Sequence, residues 1–256
     1  MKKKVLIAVP VVLLAAIAVV AGSVFLPFRA LAPPPEAGQD LPGGARLIND
    51  GFANSYLLSA GDVAALVDCG DDANGAAILS ELKKRGMGPE NVKAIFLTHG
   101  HPDHTGACHL FKNAEVYAFE GDKGIADGTK SSHGPITSIV SGPPEKRITV
   151  TKTLNDGETI TVGDLHVVAF LVPGHTAGSA VYLSGGVLFM GDCANYGRDG
   201  TLHAAMPMFT DDGAQNRKSI KELAGRLAQR GDKIDMTAYG HSAPSDGIKA
   251  LAAFTP

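Results

Sequence analysis

The stretch Thr98-His99-Gly100-His101-Pro102-Asp103-His104 limits what this chain can fold into more than any other. Three histidines and an aspartate fall within six residues, directly after Val92-Lys-Ala-Ile-Phe-Leu-Thr, an apolar run of strand type. In extended backbone, residues i and i+2 project to one side, so His99 and His101 can grip one ion together. The turn at Gly100-His101-Pro102 then swings Asp103 and His104 toward a second position close by. Imidazole and carboxylate suit Zn²⁺, and also Fe or Mn. A fold that uses this cluster must hold the end of a buried strand rigidly beside other ligand-bearing segments.

Such segments occur at three further strand ends. Pro173-Gly174-His175-Thr176-Ala177-Gly178-Ser179 follows the run Leu165 to Val172, Met190-Gly191-Asp192-Cys193 follows Val187-Leu-Phe, and Ala238-Tyr239-Gly240-His241-Ser242 closes the run from Ile234. One strand-end histidine is an ordinary structural feature; four ligand-bearing strand ends mark a site, because strand ends are where rigid scaffolds present chemistry. Around them, Ser55 to Ser59 and Val63 to Asp68 read as strands joined at Ala60-Gly61-Asp62, and Glu158 to Val162 joins Leu165 at Gly163-Asp164. Helical spacing runs over Asn74 to Arg85 (Ala77, Ile78, Leu82), with Asn74 as the cap, and over Asn216 to Gln229 (Ile220, Leu223, Leu227). Gly247 to Phe254 predicts a short last helix. Residues 121–147 are rich in glycine and proline and predict loops lining a pocket. The order of strands, helix, strand and helix then repeats, which predicts an α/β chain folded as a four-layer αββα sandwich of two mixed β-sheets.

The N-terminus carries a different signal. After Lys2, Lys3 and Lys4, residues Val5 to Leu26 contain no charge. As a helix they would span about 33 Å, enough for a bilayer core and longer than the apolar part of a cleaved leader. Ala30-Leu31-Ala32 has the small-residue form of a cleavage site, but Pro33 follows it. Residues 1–26 therefore read as a membrane anchor, with signal cleavage as the alternative, and residues 27–44 as a Pro/Gly-rich linker lifting residues 45–256 off the membrane. Either reading places the domain outside the cytoplasm, periplasmic, at the cell surface or secreted. Without the three lysines, 20 basic side chains face 26 acidic ones. Such a surface does not attract a phosphate backbone, which excludes nucleic acid as a partner and leaves a small-molecule substrate and the membrane. Cys69, Cys108 and Cys193 are odd in number and widely spaced, and read as small buried hydrophobes rather than a disulfide framework.

Taken with PGHTAGS, GDC and YGHS in the same order, HGHPDH resembles the motif set of the metallo-β-lactamase superfamily, in particular its glyoxalase II-like and lactonase-like metallo-hydrolases. The resemblance covers about residues 45–245. It implies that His99, His101 and His175 bind one metal, that Asp103, His104 and His241 bind a second, and that Asp192 bridges both. It also implies that Asp68, at an early strand end, supports the histidines by hydrogen bonding. The implied activity is that of a binuclear zinc hydrolase, with two Zn²⁺ per chain and a metal-bridged hydroxide that cleaves an ester, thioester, lactone or amide. Asp103 would also orient the water and pass a proton. Tyr196 is a candidate donor to the oxyanion, with ordinary packing as its competing role. His203 faces either substrate or the surface, and His109, His133 and His166 read as structural. Only Ser242 to Pro256 follow the last motif, so the helical glutathione-binding region of glyoxalase II enzymes is not expected here. The GDC-type aspartate fits the hydrolase branches better than a true β-lactamase. Two rival readings stand beside this one. A persulfide dioxygenase-like enzyme would keep a single iron on His99, His175 and Asp192, and a tethered binding protein would use the metal pocket only as a receptor.

Overall fold

The computed structural model describes Gly22 and residues 26–139 and 142–256. The anchor read over residues 1–26 lies outside the described residues except for Gly22 and Leu26. Among the described residues no helix is long and apolar enough to cross a membrane.

The first sheet runs in chain order through β1 (Gln39–Asp40), β2 (Arg46–Asn49), β3 (Asn54–Ala60), β4 (Val63–Val67), β5 (Val92–Phe96), β6 (Glu115–Ala118) and β7 (Lys152–Thr153). Its first four strands pair antiparallel and its last four parallel. The second sheet contains β8 (Thr159–Val162), β9 (Leu165–Leu171), β10 (Ala180–Ser184) and β11 (Val187–Phe189). The chain then makes a small ribbon, β12 (Ala194–Tyr196) with β13 (Leu202–Ala204), before β14 (Met236–Ala238) and β15 (Ser245–Asp246) complete the second sheet in the order β15-β14-β11-β10-β9-β8. β11 and β14 are parallel, the others antiparallel, so both sheets are mixed. Besides residues 26–30, which are also helical, the α-helices among the described residues include α1 (Ala76–Lys84), α2 (Pro102–Thr105), α3 (Glu120–Ala126), α4 (Gly213–Arg230) and α5 (Lys249–Ala252).

Side-chain parity makes the layers. Tyr56, Leu58, Ala65, Val67, Ala94 and Phe96 of the first sheet meet Val167, Ala169, Tyr182, Val187 and Phe189 of the second in one buried core. The intervening residues Leu57, Ala64, Leu66 and Ile95 point the other way, onto Ile78 and Leu82 of α1. Likewise Phe170, Val181 and Leu188 face Ile220, Leu223 and Leu227 of α4. Period 2 in a strand exposes alternate residues to opposite faces, so strands apolar at every position must be covered on both. The αββα sandwich follows.

Local chemistry moved several boundaries. Helix α1 has Gly75 at its N-cap position and not Asn74, and the Asp72 carboxylate accepts from the Asn74 and Ala76 amides at its entry. Helix α4 begins a turn before Asn216 because Asp212 accepts from the Ala214 and Gln215 amides. Residues 121–147 line the pocket as expected but are not all loop, since α3 occupies their start. The segment expected as a linker is docked: β1 extends the first sheet and Leu41 joins the central core. Backbone pairing and apolar burial fasten that stretch to the domain. A disulfide joins Cys69 and Cys108, with Cα atoms 5.4 Å apart, which corrects the reading of both as free hydrophobes. Only the fold brings positions 39 residues apart into bonding reach; Cys193 is free and buried.

Candidate metal centre

Five segments deliver the site, each at the end of a strand. β4 ends at Val67 and presents Asp68; β5 ends at Phe96 and leads into Thr98 to His104. The turn between β9 and β10 carries His175, β11 leads into Asp192, and β14 leads into His241. The parallel pairs β4–β5 and β11–β14 make their strands finish at the same edge. Two backbone bonds close that edge across the sheets, from the Ala180 amide to the Thr98 carbonyl at 2.7 Å and from the Asn54 amide to the Gly240 carbonyl at 2.8 Å. Gly191 takes φ +50°, and a Cβ there would strike the Thr98 side chain, so glycine is what lets Asp192 approach.

The ligand-type atoms fall into three overlapping groups, each within 4.8 Å: His99 with His101 and His175, His99 with Asp103 and His104, and His104 with Asp192 and His241. Asp192 lies between the ends of the site, with Oδ2 3.2 Å from His241 Nε2 and 3.9 Å from His175 Nε2, and Oδ1 3.4 Å from His104 Nε2. Asp103 Oδ2 is 3.2 Å from His241 Nε2. The structure thus gathers all seven motif residues at one place, with Asp68 behind them.

Hydrogen bonds on the outer side orient four imidazoles. Asp68 accepts from the Thr98 amide and hydroxyl at 2.8 and 2.6 Å and from His104 Nδ1 at 2.7 Å. Because the Thr98 hydroxyl proton goes to Asp68, its oxygen accepts from His99 Nδ1 at 3.1 Å. The Thr210 hydroxyl donates to the Met206 carbonyl and so accepts from His175 Nδ1 at 3.3 Å. His241 Nδ1 donates to the Phe52 carbonyl at 3.0 Å. Each chain ends on an acceptor without a hydrogen, which fixes the proton on Nδ1 and turns Nε2 inward. His101 differs: its Nδ1 faces His175 Nε2 at 3.1 Å.

Those inward atoms are the test of fit for a metal. Nε2 of His99 and His104 and Oδ1 of Asp192 are buried and have no hydrogen-bond partner among the described residues. Buried polar atoms without partners are costly and rare in native proteins, and here they converge. Burial, reinforced by neighbouring imidazoles, pushes His99 well below the ordinary imidazole range and His175 down to about 3, so both are neutral, the form in which an imidazole can bind a metal. Burial also opposes charge on His104 and His241, but Asp68 and Asp192 raise the first well above its usual value, and Asp192 with Asp103 raises the second to about 10. Asp103 and Asp192 are held below the usual carboxylate range by these same histidines, against their own burial. A metal-free site therefore keeps protons where a cation would place positive charge, which suits this donor set to divalent metal.

Beside these groups lies a cavity of about 250 Å³, lined by Phe28, Phe52, Ile125, Ile136, Met206 and Phe209 with His101, Asp103, Asp192 and His241 at its floor. Tyr196 does not line it. Its ring stacks on Tyr239 at 6.2 Å and its hydroxyl lies toward Gly200, because β12 pairs with β13 and packs the ring into the outer core. The oxyanion role is withdrawn on that ground. His203 pairs with Asp199 on the surface, His109 bonds the Gly106 carbonyl, His166 pairs with Thr161, and His133 is exposed. Sequence reasoning missed Thr98 and Thr210 as partners of the histidines. Thr98 had a signal, its place directly before His99; Thr210 had none.

A sequence profile described as the metallo-beta-lactamase superfamily matches residues 48–241. The chain is 32% identical over 152 residues to the probable metallo-hydrolase YqgX of Bacillus subtilis (strain 168), covering 54% of this chain and 67% of that one. It is 30% identical over 138 residues to a hydroxyacylglutathione hydrolase of Idiomarina loihiensis, covering 53% of this chain and 45% of that protein. The chain spans about half the length of such hydroxyacylglutathione hydrolases. Among solved structures, MIM-1 from Novosphingobium pentaromativorans superposes with a TM-score of 0.63 at 23% identity, over 88% of this chain and 86% of that one. Rm3 metallo-beta-lactamase gives 0.62 at 22%, over 82% and 79%. At these identities the likeness is one of fold.

Proposed function

The chain belongs to the metallo-β-lactamase superfamily, and on that premise we propose that it is an exported, membrane-anchored hydrolase that uses two zinc ions to cleave an ester, thioester, lactone or amide bond. The observation that carries the reading is the convergence of ligand-type side chains from four strand ends, with Nε2 of His99 and His104 and Oδ1 of Asp192 buried and unpartnered among the described residues. His99, His101 and His175 would hold one ion, Asp103, His104 and His241 the other, with Asp192 between them. A pair of divalent cations supplies a water ionised near neutral pH and polarises a carbonyl oxygen.

The chain's own residues do the rest. Asp68 and Thr98 keep His104 and His99 in one tautomer, so their inward nitrogens stay available as donors of electron pairs. Asp103, tied to His241, offers a carboxylate oxygen at the cavity floor to orient a water and take its proton. The apolar walls exclude bulk water and take the acyl part of the substrate. A single-iron site on His99, His175 and Asp192 would leave Asp103, His104 and His241 without a task, which favours hydrolysis over the dioxygenase. The Cys69–Cys108 disulfide and the uncharged run Val5 to Leu26 support placement outside the cytoplasm.

The test is metal analysis of purified protein with an ester, thioester, lactone and β-lactam panel, run beside a chelated control. Two zinc per chain with chelator-sensitive turnover is expected, and His101→Ala or Asp192→Ala should lose both metal and turnover. Full activity in either variant refutes the assignment. One iron with oxygen uptake on a persulfide would favour the dioxygenase, and metal without turnover a receptor.

A further inference from the structure

The site cavity is not walled by the two sheets alone. Residues 26–30 are helical and follow directly on the apolar run that ends at Leu26. Beyond them the chain is fastened to the domain by backbone bonds. Leu31 bridges Gly197, the Ala32 amide donates to the Tyr196 carbonyl at 2.9 Å, and the Ala243 amide donates to the Ala32 carbonyl at 2.8 Å. Phe28, just before this fastening, lines the cavity and packs edge-on against His241 with ring centres 5.8 Å apart. In a helix the axial rise from Leu26 to Phe28 is about 3 Å, so whatever holds the apolar run holds the cavity mouth with it.

The surface chemistry points the same way. Among the described residues, the large apolar side chains left exposed are Leu26 (61%), Phe52 (50%) and Ile139 (81%). Phe52 lines the cavity, Leu26 lies two residues from Phe28, and Ile139 lies between the lining residues Thr137 and Gly142. Exposed apolar residues scattered singly are normal, but Phe52 lines this cavity and the other two lie within two residues of lining residues in the chain. Lys130 and Arg147 line the cavity and Arg29 follows Phe28 in the chain; all three are exposed with no ion-pair partner among the described residues, whereas the lining residue Lys146 pairs with Asp71. An apolar rim with unpaired basic side chains matches the boundary between anionic headgroups and acyl chains.

We propose that the mouth of the cavity rests on the lipid surface, and that the substrate is a membrane-resident amphipathic acyl compound whose chain enters past Phe28 and Phe52 without crossing water. This rests on the anchored-hydrolase reading above and adds to it the orientation of the site and the class of substrate. The chain has no tryptophan, so one introduced indole is an unambiguous reporter. Full-length protein carrying Ile139→Trp is placed in nanodiscs of phosphatidylcholine and phosphatidylglycerol with brominated chains. A second protein carries Lys233→Trp, three residues before β14 on the side remote from His241. The first should lose roughly half its fluorescence to the bromines and the second almost none, since quenching needs contact at acyl depth. An Ile139→Trp reporter that bromolipid does not quench overturns the proposal, whether acrylamide reaches it (open to water) or not (covered by another copy). Ile139→Asp should lower kcat/KM for a long-chain p-nitrophenyl ester dissolved in the disc about tenfold relative to p-nitrophenyl acetate, through lost bilayer contact; an unchanged ratio counts against it. The two readings fail separately. Quenching without turnover of any ester removes the hydrolase and leaves the lipid contact, while turnover without quenching does the reverse.

Discussion

Asp68→Asn isolates the outer hydrogen bonds from everything else at the site. The residue is buried and sits at φ +59°, a conformation that asparagine tolerates as well as aspartate, so the backbone need not move. Its carboxylate accepts three hydrogen bonds, from the Thr98 amide, the Thr98 hydroxyl and His104 Nδ1. An amide group has one acceptor oxygen and one donor nitrogen. If the oxygen keeps Thr98 Oγ1 and His104, the NH₂ confronts the Thr98 amide; if it keeps the Thr98 amide, the NH₂ confronts two donors. The milder arrangement loses one charge-assisted bond, about 1.5–3 kcal/mol, and weakens two others by roughly 1 kcal/mol each. The chelated protein should therefore lose about 4 kcal/mol, roughly a 10 °C fall in Tm for a domain of this size. Zinc affinity, read by competition with a chromophoric chelator, should drop 10- to 100-fold as His104 loses its fixed tautomer, an order of magnitude typical of such partners. Asp71→Asn serves as the control, since its pair with Lys146 is partly exposed and worth about 1 kcal/mol or less. If Asp68→Asn holds two zinc ions with native affinity and melts with the wild type, Asp68 does not position His104 and the tautomer argument fails.

Gly240→Ala should strip metal and activity together, because a Cβ there meets Asp192 Oδ1 and comes within 3.0 Å of His104 Cε1; full metal content would show that the site yields freely. Asp122 is buried, accepts from the Thr176 hydroxyl at 2.6 Å, and has its other oxygen unpartnered; burial pushes its pKa up to about 7, partly offset by that hydroxyl. The folded state therefore takes up a proton that the unfolded chain has released above pH about 4, so stability should fall as pH rises from about 4 to about 7. Asp122→Asn should flatten that slope and gain up to about 4 kcal/mol at pH 8, checked by melts across the range; a wild type insensitive to pH there would contradict it. Cys69→Ala with Cys108→Ala opens a loop of 39 residues and should cost about 4 kcal/mol by chain entropy, matched by reductant on the wild type; equal melts with and without reductant would refute this.

The site was more legible in the sequence than the frame around it, and the reasons are physical. A strand must end where its ligands begin, so His99, His175, Asp192 and His241 each stood at the edge of an apolar run. The pocket walls had no such mark. Phe28 and Phe52 are ordinary aromatic residues until chain segments 24 residues apart are folded together at His241. The span 27–44 misled because proline and glycine signal irregular backbone, and irregular backbone can be docked as easily as free. Tyr196 misled because its spacing from Asp192 says nothing about which way β12 turns its side chain.

By itself the sequence determined which ligand-type residues stand at strand ends and how the layers form, since residue type and period 2 or 3.6 are local properties that a linear string displays. Tertiary structure decided what stands behind each imidazole, which cysteines pair, and what borders the cavity mouth. Those depend on contacts between residues far apart in the chain, and contact across a folded core is set by packing the whole domain at once.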